Sequence, residues 1–469
     1  MLHNLPYKHL LKAERTADSI YNYKQLFSIL ALWLVAGISL KVLAIPVIAL
    51  HVLYLYNKHY TLEIFVGFFF ILLLSDSRIA ALDFAKNLKI VLLVLLFLPL
   101  ILQKQDSFGL HTSHNFGKPF LLYILFAFFC IIYSPEPFTA FQKTLSYYLL
   151  LVIVPVMFYS LFQKYGDKLL KAIVYLGVLI LIAGYLLYLA NPGLVMYNAG
   201  SRSSGVLGNP NGLGMFCFLF FLLYFIIHHY YPQLFSRREN LIILVLIFSS
   251  LLWSGSRGQT LSVLIFLITQ FLSRRNKAAG LLLSALIGIM LVSIDFDIVA
   301  IAHSLGFEDY LRVDTLDTGG GRVVARAFAW KHIQHNFWIG RGFNYTEYIY
   351  HQHFYELSML GHEGNAHNAF LTVWLDTGLI GLILFVTGWG VLFWKAAKNS
   401  YLALPVAFAI IASNMAESWL TASLNPFTIL VLITLTLLIY IVKDAPAPAI
   451  IMPVRNRRLP SLPKPLHQT

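Results

Sequence analysis

Long runs of apolar residues decide which folds are open to this chain. Leu169–Ala190 and Phe370–Trp394 each reach the roughly 20 residues that a helix needs to cross a hydrocarbon core of about 30 Å. Of the 469 residues, 58% are hydrophobic and only 12% are charged. An ordinary soluble domain carries about 25% charged residues, so this composition points to lipid as the solvent.

Hydropathy along the chain predicts an all-α, polytopic transmembrane bundle of 12–14 spans. Several candidate segments are short, and the first two form either one kinked span or a re-entrant pair. The candidates are 26–40, 42–56, 62–74, 90–103, 119–134, 144–162, 169–190, 212–230, 240–254, 258–272, 279–295, 369–394, 401–417 and 425–442. The N-terminal segment is polar and basic and shows no cleavable signal pattern, so the first helix is expected to act as its own insertion signal.

Lysine and arginine predict the orientation of these helices. With the N-terminus in the cytoplasm, 22 of the 34 basic residues fall on the cytoplasmic side, which favours an N-in, C-in topology. The longest polar stretch, 296–368, then lies on the outer face. The predicted organisation is a cytoplasmic segment at 1–25, a bundle at 26–295, this outer loop with short helices at 296–368, further spanning helices at 369–442 and a cytoplasmic tail at 443–469.

The net charge of +13 has the same explanation, because basic loops orient membrane proteins. No basic soluble domain with interleaved aromatic residues is evident, so nucleic-acid binding is not expected. Cys130 and Cys217 both lie inside apolar runs, where they are read as small core residues rather than as a disulfide or a metal site.

Two polar loops on the predicted outer face carry arginine. The first, Ser201–Gly212, is dense in Pro, Asn and Gly, contains Arg202 and Asn209, and ends in a sequence where Asn211 is expected to cap the next helix. The second, Trp253–Gly258, breaks two apolar segments at Arg257. An arginine near membrane depth is costly unless it snorkels, pairs or faces water. Arg257 therefore either contacts a lipid headgroup or serves as a fixed cation that binds phosphate.

The long outer loop carries two further clusters. Gly319–Arg322 joins three glycines to an arginine, without the Lys-Ser/Thr of a nucleotide-binding loop, and Gly340–Gly342 flanks Arg341. The second cluster, Gly361–Leu371, includes His367 and Asn368 where the loop returns to the bilayer. Such a histidine is either a structural hydrogen-bonding residue or a group that moves a proton.

Two metal-binding patterns occur in the sequence, and neither is specific enough to predict a site. His351, His353, His362 and His367 lack a clear third and fourth ligand spacing, so no metal or other cofactor is predicted. Asp295–Asp297 matches the paired aspartates of some nucleotide-sugar enzymes, but matches this short are common, and this one is read as a helix end.

The order of these motifs resembles the O-antigen ligase family, which belongs to a superfamily with O-antigen polymerases. The motifs run from the Arg202 loop with its Asn-Pro-Asn-Gly, through Arg257, Arg322 and Gly340–Gly342, to Ala366–Leu371 and Asp376–Gly381. The resemblance covers about residues 200–385 by motif and the whole chain by topology. Where the family commonly has a Pro before its Gly-x-Gly, this chain reads Phe337–Gly342, and Arg341 is an added cation.

The resemblance implies a GT-C-like glycosyltransferase in the bacterial inner membrane, with its active site facing the periplasm. It implies inverting, metal-independent transfer of a glycan from undecaprenyl diphosphate to a sugar hydroxyl of lipid A–core. Carried over by motif, Arg202, Arg257 and Arg322 would bind the diphosphate and His367 would deprotonate or orient the acceptor. Candidate acceptor or loop contacts are Arg341, Asn368 and Asn209.

Three alternatives stay open at this point. A repeat-unit polymerase would use the same donor with a lipid-linked acceptor, and the motifs do not separate it from a ligase. A lipid or polysaccharide transporter would need ionisable residues along a central path, and most predicted spans lack them. A structural membrane protein is the third alternative.

Overall fold

The computed structural model describes residues 23–102, 116–197, 202–275, 322–362 and 364–441. The predicted span 279–295, the Asp295–Asp297 pattern, the glycines at 319–321, the tail at 443–469 and most of the N-terminal segment lie outside the described residues.

The described chain is almost entirely helical. Every predicted span except 279–295 coincides with a helix. The helices are α1 Tyr23–Leu40, α2 Ala44–Asn57, α3 Thr61–Ser75, α4 Phe84–Leu102, α5 Leu121–Cys130, α6 Pro137–Tyr165, α7 Asp167–Ala190, α8 Pro210–Tyr230, α9 Arg237–Ser254, α10 Arg257–Arg275, α11 Arg322–His335, α12 Tyr345–Gln352, α13 Phe354–Met359, α14 Ala369–Asn399, α15 Ala403–Ala416 and α16 Pro426–Thr436, and two short strands are β1 Met196–Tyr197 and β2 Arg202–Ser203.

Five helical runs of the described residues are long and apolar enough to cross a membrane. They are Tyr23–Asn57, Pro137–Tyr165, Asp167–Ala190, Pro210–Tyr230 and Ala369–Asn399, and shorter apolar helices accompany them. The predicted class, a polytopic all-α membrane protein, is confirmed. The count of spans and the boundaries of the predicted segments stay predictions.

The first of these runs is folded back on itself. Trp33 Nε1 on α1 donates a hydrogen bond of 2.9 Å to His51 Nδ1 on α2, although the two residues are 18 positions apart. In one straight helix they would be separated by about 27 Å. The reversal occurs at Lys41, whose φ is +52°. Of the two interpretations of this segment, the structure agrees with the pair of helices and disagrees with the single kinked span.

The bundle is built around helices that are apolar on every side. Nearly all residues of α8 are buried, and so are all those of α3 from Leu62 to Ser75 and all those of α16 after Asn425. Such helices suit the centre of a bundle because they have no polar face to present to water. α16 packs against α6 and α8, so the loop before α16 is held at the end of this core.

Helix α14 is interrupted at Gly378, and the loop that follows α11 is docked at the break. Gly378 has φ +70° and ψ −178°, which leaves backbone groups without helical partners. Leu379 N donates to Phe337 O at 2.8 Å, and Gly342 N donates to Asp376 O at 2.8 Å. The docking loop and the break are called the seam below.

Close backbone approach explains both glycines of the seam. A Cβ on Gly340 would lie 2.3 Å from the carbonyl carbon of Asp376, and one on Gly378 would lie 2.3 Å from the carbonyl oxygen of Trp338. The Asp376 carboxylate secures the same loop by accepting from Thr346 N and Thr346 Oγ1, both at 2.7 Å. These motif positions therefore have a structural role in this chain.

Gly340→Ala is expected to lower the thermal stability of the protein. The added methyl must displace backbone rather than a flexible side chain, and overpacking of this kind costs about 1–3 kcal/mol. The measurement is the unfolding temperature in detergent. Gly390→Ala is the matched control, because a Cβ there meets no atom within 4 Å and Ala favours a helix interior. Equal unfolding temperatures for the two variants would show that the backbone of α14 does not approach Gly340 this closely.

Candidate functional site

Glu417 joins three polar side chains that are distant in sequence. It lies between α15 and α16 and is only 7% exposed. Its Oε1 accepts from Arg322 Nη2 at 2.6 Å and from Asn211 Nδ2 at 3.0 Å, and its Oε2 contacts His367 Nδ1 at 3.1 Å. A buried carboxylate is costly unless it is paired and hydrogen-bonded, and these contacts meet that need. The group is called the Glu417 network below.

His367 is held by its backbone as well as by its ring. It lies just before α14 with φ +45°, and its N–H donates to Asn365 Oδ1 at 2.9 Å. Because an ionised carboxylate only accepts hydrogen bonds, Nδ1 carries the hydrogen and Nε2 carries the lone pair of the neutral ring. A Cβ on Gly364 would lie 3.1 Å from Nε2, so the glycine keeps this nitrogen approachable.

Arg202 enters the network through Asn211. β2, which holds Arg202, pairs antiparallel with β1. The guanidinium donates from Nε to Ser254 O and from Nη2 to Asn211 Oδ1, both at 2.8 Å. Gly255, at φ +57° after α9, lets the arginine approach, since a Cβ there would be 3.1 Å from Nε. One planar cation thus ties the end of α9 to the start of α8.

The observed cap of α8 lies two residues before the predicted one. Asn209, not Asn211, is the N-cap, and its Oδ1 accepts from Gly212 N at 2.7 Å. Pro210 then takes the first helical position, where its missing N–H costs nothing. Asn211 is left to bridge Arg202 and Glu417. The prediction that Asn211 caps α8 is therefore wrong, and Asn209 has this role instead.

Two arginines on consecutive turns of α11 face the same loop. Arg322 pairs with Glu417, and Arg326 Nη2 donates to Met415 O at 2.8 Å, two residues before that glutamate. Residues four apart lie on one face of a helix. Burial, and then the nearby Arg322 cation, lower the pKa of Arg326. This proximity of two cations favours an anionic partner.

Arg257 begins α10 beside the same network. Its neighbour Gly258 packs against Ala416, since a Cβ on Gly258 would be 3.1 Å from the Ala416 Cβ. Arg257 itself is half-buried. The three arginines predicted from the sequence therefore converge around the loop that carries Glu417.

Asn368 and Arg341 have partners near them in sequence, and Asn368 Nδ2 also donates to Met415 O at 3.4 Å. Asn368 caps α14, where its Oδ1 accepts from Phe370 N at 2.9 Å and Leu371 N at 3.1 Å. Arg341 is exposed, donates to Asn336 Oδ1 at 3.2 Å and lies over the Tyr345 ring. Neither contacts the Glu417 network through its side chain. Their roles as acceptor contacts stay predictions.

The histidines of the outer loop fall into two groups. His353 packs on Phe328 and His332 of α11, whereas His362 lies edge to face with His367 at 5.6 Å between ring centroids. Among the residues with described positions, no three His, Cys, Asp or Glu side chains are arranged to hold a metal ion.

Glu417, Asn211 and Arg326 are the site residues that the sequence analysis did not identify. Glu417 had a usable signal, because an ionisable residue at the end of an apolar run is a functional candidate by default. Arg326 is one turn after Arg322, which is also visible in the sequence. Asn211 had no such signal, since either asparagine of the Asn-Pro-Asn-Gly sequence can cap a helix.

The charges of this region suit a base beside a multiply charged anion. Arg202, Arg257, Arg322 and Arg326 supply four cations, and the Glu417 carboxylate contacts Arg322 directly and Arg202 through Asn211. Planar guanidinium groups match the geometry of phosphate oxygens. The site can therefore take up an anion and, at His367 Nε2, accept a proton.

Arg202→Lys is expected to reduce activity by about 10-fold or more, since charged hydrogen bonds contribute about 1.5–3 kcal/mol. Lysine keeps the charge but cannot reach Ser254 O and Asn211 together. The measurement is the initial rate of the transfer reaction that the resemblance implies, in membranes that contain equal amounts of protein. Arg238→Lys, an exposed change at the far end of α9, is the control. Equal rates for both variants would show that the planar bridge is dispensable.

Part of the chain matches a known protein family. Residues 242–386 match the family model described as O-antigen ligase. A search of curated proteins finds no match. The matched segment contains Arg257, Arg322 and His367, and the family supports a glycosyltransferase-like enzyme of the ligase or polymerase type in lipopolysaccharide biosynthesis. The chain is a multi-pass membrane protein in which residues 242–386 match the family model described as O-antigen ligase.

Proposed function

We propose that this protein is an O-antigen ligase that transfers a glycan from undecaprenyl diphosphate to a sugar hydroxyl of lipid A–core. The observation that carries the proposal is the Glu417 carboxylate, which contacts His367 at 3.1 Å and Arg322 at 2.6 Å. It places a proton acceptor beside a cluster of cations, as attack by a hydroxyl on a diphosphate-linked sugar requires.

The proposed reaction is a single displacement. The acceptor oxygen forms a bond to the anomeric carbon while its proton passes to His367 Nε2. The bond from that carbon to the diphosphate oxygen breaks, and undecaprenyl diphosphate leaves with the electron pair. One displacement inverts the configuration at the anomeric carbon. Glu417 orients the ring and stabilises the imidazolium that forms.

The arginines are proposed to stabilise the leaving group. Negative charge grows on the diphosphate as the bond breaks, and preorganised cations are most effective against charge that develops in the transition state. Arg202 and Arg322 are fixed by the Glu417 network, and Arg257 lies beside it. A lipid-linked donor fits a site at the ends of membrane helices. The charge distribution of the loops supports a periplasmic site in the inner membrane.

Removal of divalent metal ions is expected to leave the transfer rate unchanged. In the proposed reaction, guanidinium groups supply the positive charge that metal ions supply in other enzymes. The measurement is transfer by purified protein before and after treatment with EDTA, with a magnesium-dependent glycosyltransferase as a positive control for chelation. A loss that added Mg²⁺ or Mn²⁺ restores would overturn the metal-independent assignment.

Deletion of the gene in its host tests the function directly. Surface glycolipids are separated on a gel, and lipid-linked intermediates are extracted in parallel. Lipid A–core without O chains, together with long glycan on undecaprenyl diphosphate, is the expected result. Core that bears one repeat unit would instead identify a polymerase. An unchanged profile would exclude both functions for this glycan.

A further inference from the structure

A polar cleft adjoins the Glu417 network on the side of α12. It contains about 440 Å³ of space between the atoms, part of which is open solvent. Its lining includes Lys143 of α6, Glu347 of α12, Phe343, Asn365 and Ser418. These residues come from separate parts of the chain, so the cleft exists only in the folded bundle.

Asn365 connects the cleft to the proposed base. Its Oδ1 accepts from His367 N at 2.9 Å and from Ser418 Oγ at 3.3 Å. Ser418 directly follows Glu417. One wall of the cleft is thus shared with the pair that activates the acceptor, and a ligand in the cleft lies next to the reacting groups.

The cleft is lined by one cationic and two acidic side chains. Lys143 Nζ lies 2.6 Å from Glu347 Oε2 and also contacts Asn344 Oδ1. The Asp376 carboxylate is already engaged by Thr346 and by Asn344 N. Unlike the arginine cluster, this cleft has no excess of cations. A phosphate is therefore a poor match, and a neutral polar molecule is a good one.

The donors and acceptors that line the cleft suit a sugar. Its walls present amide groups, several Ser and Thr hydroxyls, one ammonium and two carboxylates. Amides and hydroxyls can both donate and accept, which matches a ring that carries several hydroxyl groups. Phe343 adds an apolar surface for the C–H face of such a ring.

We infer that this cleft is a carbohydrate subsite for one pyranose residue of a glycan substrate, next to the sugar that reacts. The inference rests on the proposed transfer reaction and specifies where one substrate is gripped. Donor glycan and acceptor core share this chemistry, and the experiment distinguishes them. Because Glu347 is exposed while its partner Lys143 is less so, the ion pair can orient a sugar without closing the cleft.

The test measures binding separately from transfer. The full-length protein in nanodiscs is titrated with two probes, core oligosaccharide freed of its acyl chains and O-glycan released from its lipid. Two variants alter the cleft: Glu347→Gln removes a charge with little change of shape, and Ala422→Trp fills the space. Glu356→Gln, an exposed carboxylate on α13, is the matched control. Unfolding temperatures establish that each variant is folded.

We expect one probe to bind at least 10-fold more weakly to both cleft variants, with unchanged binding to the control. In transfer assays the KM for the same substrate should rise, while kcat changes little. Weakened core binding assigns the cleft to the acceptor, and weakened O-glycan binding assigns it to the donor. Unchanged affinities, or no binding of either probe by the unaltered protein, would overturn the inference. Sugar binding without glycan transfer would overturn the proposed function but not the sugar subsite.

Discussion

His367→Asn is expected to lower the rate of glycan transfer by a factor of about 10²–10⁴, the usual contribution of a positioned general base. Asparagine tolerates the positive φ of this position better than most residues, so the backbone should survive the change. The loss should appear in kcat rather than in the KM for the donor, because the arginines that grip the diphosphate remain. The measurement is single-turnover transfer from an undecaprenyl-diphosphate-linked glycan to lipid A–core.

The control for this variant is His351→Asn, an exposed histidine on α12. It should transfer glycan at the original rate. If His367→Asn kept more than about a tenth of the activity, its contribution would be below the range of a general base and His367 would be a structural residue.

Glu417→Gln is expected to reduce transfer by at least about 100-fold and also to lower the unfolding temperature. Orienting carboxylates beside a catalytic histidine can contribute a factor of about 10⁴. Glutamine keeps the shape of the side chain, but it has one acceptor oxygen for three donors. Arg322 would lose its ionic partner, and breaking a buried pair from one side costs about 3–5 kcal/mol.

A double-mutant cycle separates the two consequences of this change. If Glu417 acts through His367, the variant with both substitutions should be barely slower than His367→Asn alone, because residues that act as a unit are not additive. The unfolding temperature, in contrast, should fall as far in the double variant as in Glu417→Gln. Losses of activity that simply add would show that the carboxylate works independently of the histidine.

The sequence predicted the helices well because their signal is local. Apolar runs such as 212–230 show membrane helices without knowledge of their neighbours. The convergence of Arg202, Arg322 and His367 was also predicted, through motif order and loop charge. The turn between α1 and α2 was left open because both readings place the same residues in helices.

The parts that could not be predicted depend on tertiary pairing. Glu417 looks like the polar end of an apolar run, and only folding brings it to His367, 50 residues earlier. The choice between Asn209 and Asn211 as the cap depended on a difference of two residues in where α8 begins. Nothing in the sequence indicates that Gly340 and Gly378 lie on opposite sides of the seam.

The seam also determines how the site can open. It joins the end of α11 to α14, so the elements that carry Arg322 and His367 are docked on each other. Glu417 lies in the loop between α15 and α16. We expect a bulky glycan to enter by displacing this loop, which would break the contacts of Glu417 with Arg322 and His367 in one step. The base would then be oriented only after the substrate is enclosed, so hydrolysis of the donor by water would be suppressed between turnovers. Distances between spin labels on α11 and α15, measured with and without substrate, would show whether this gate moves.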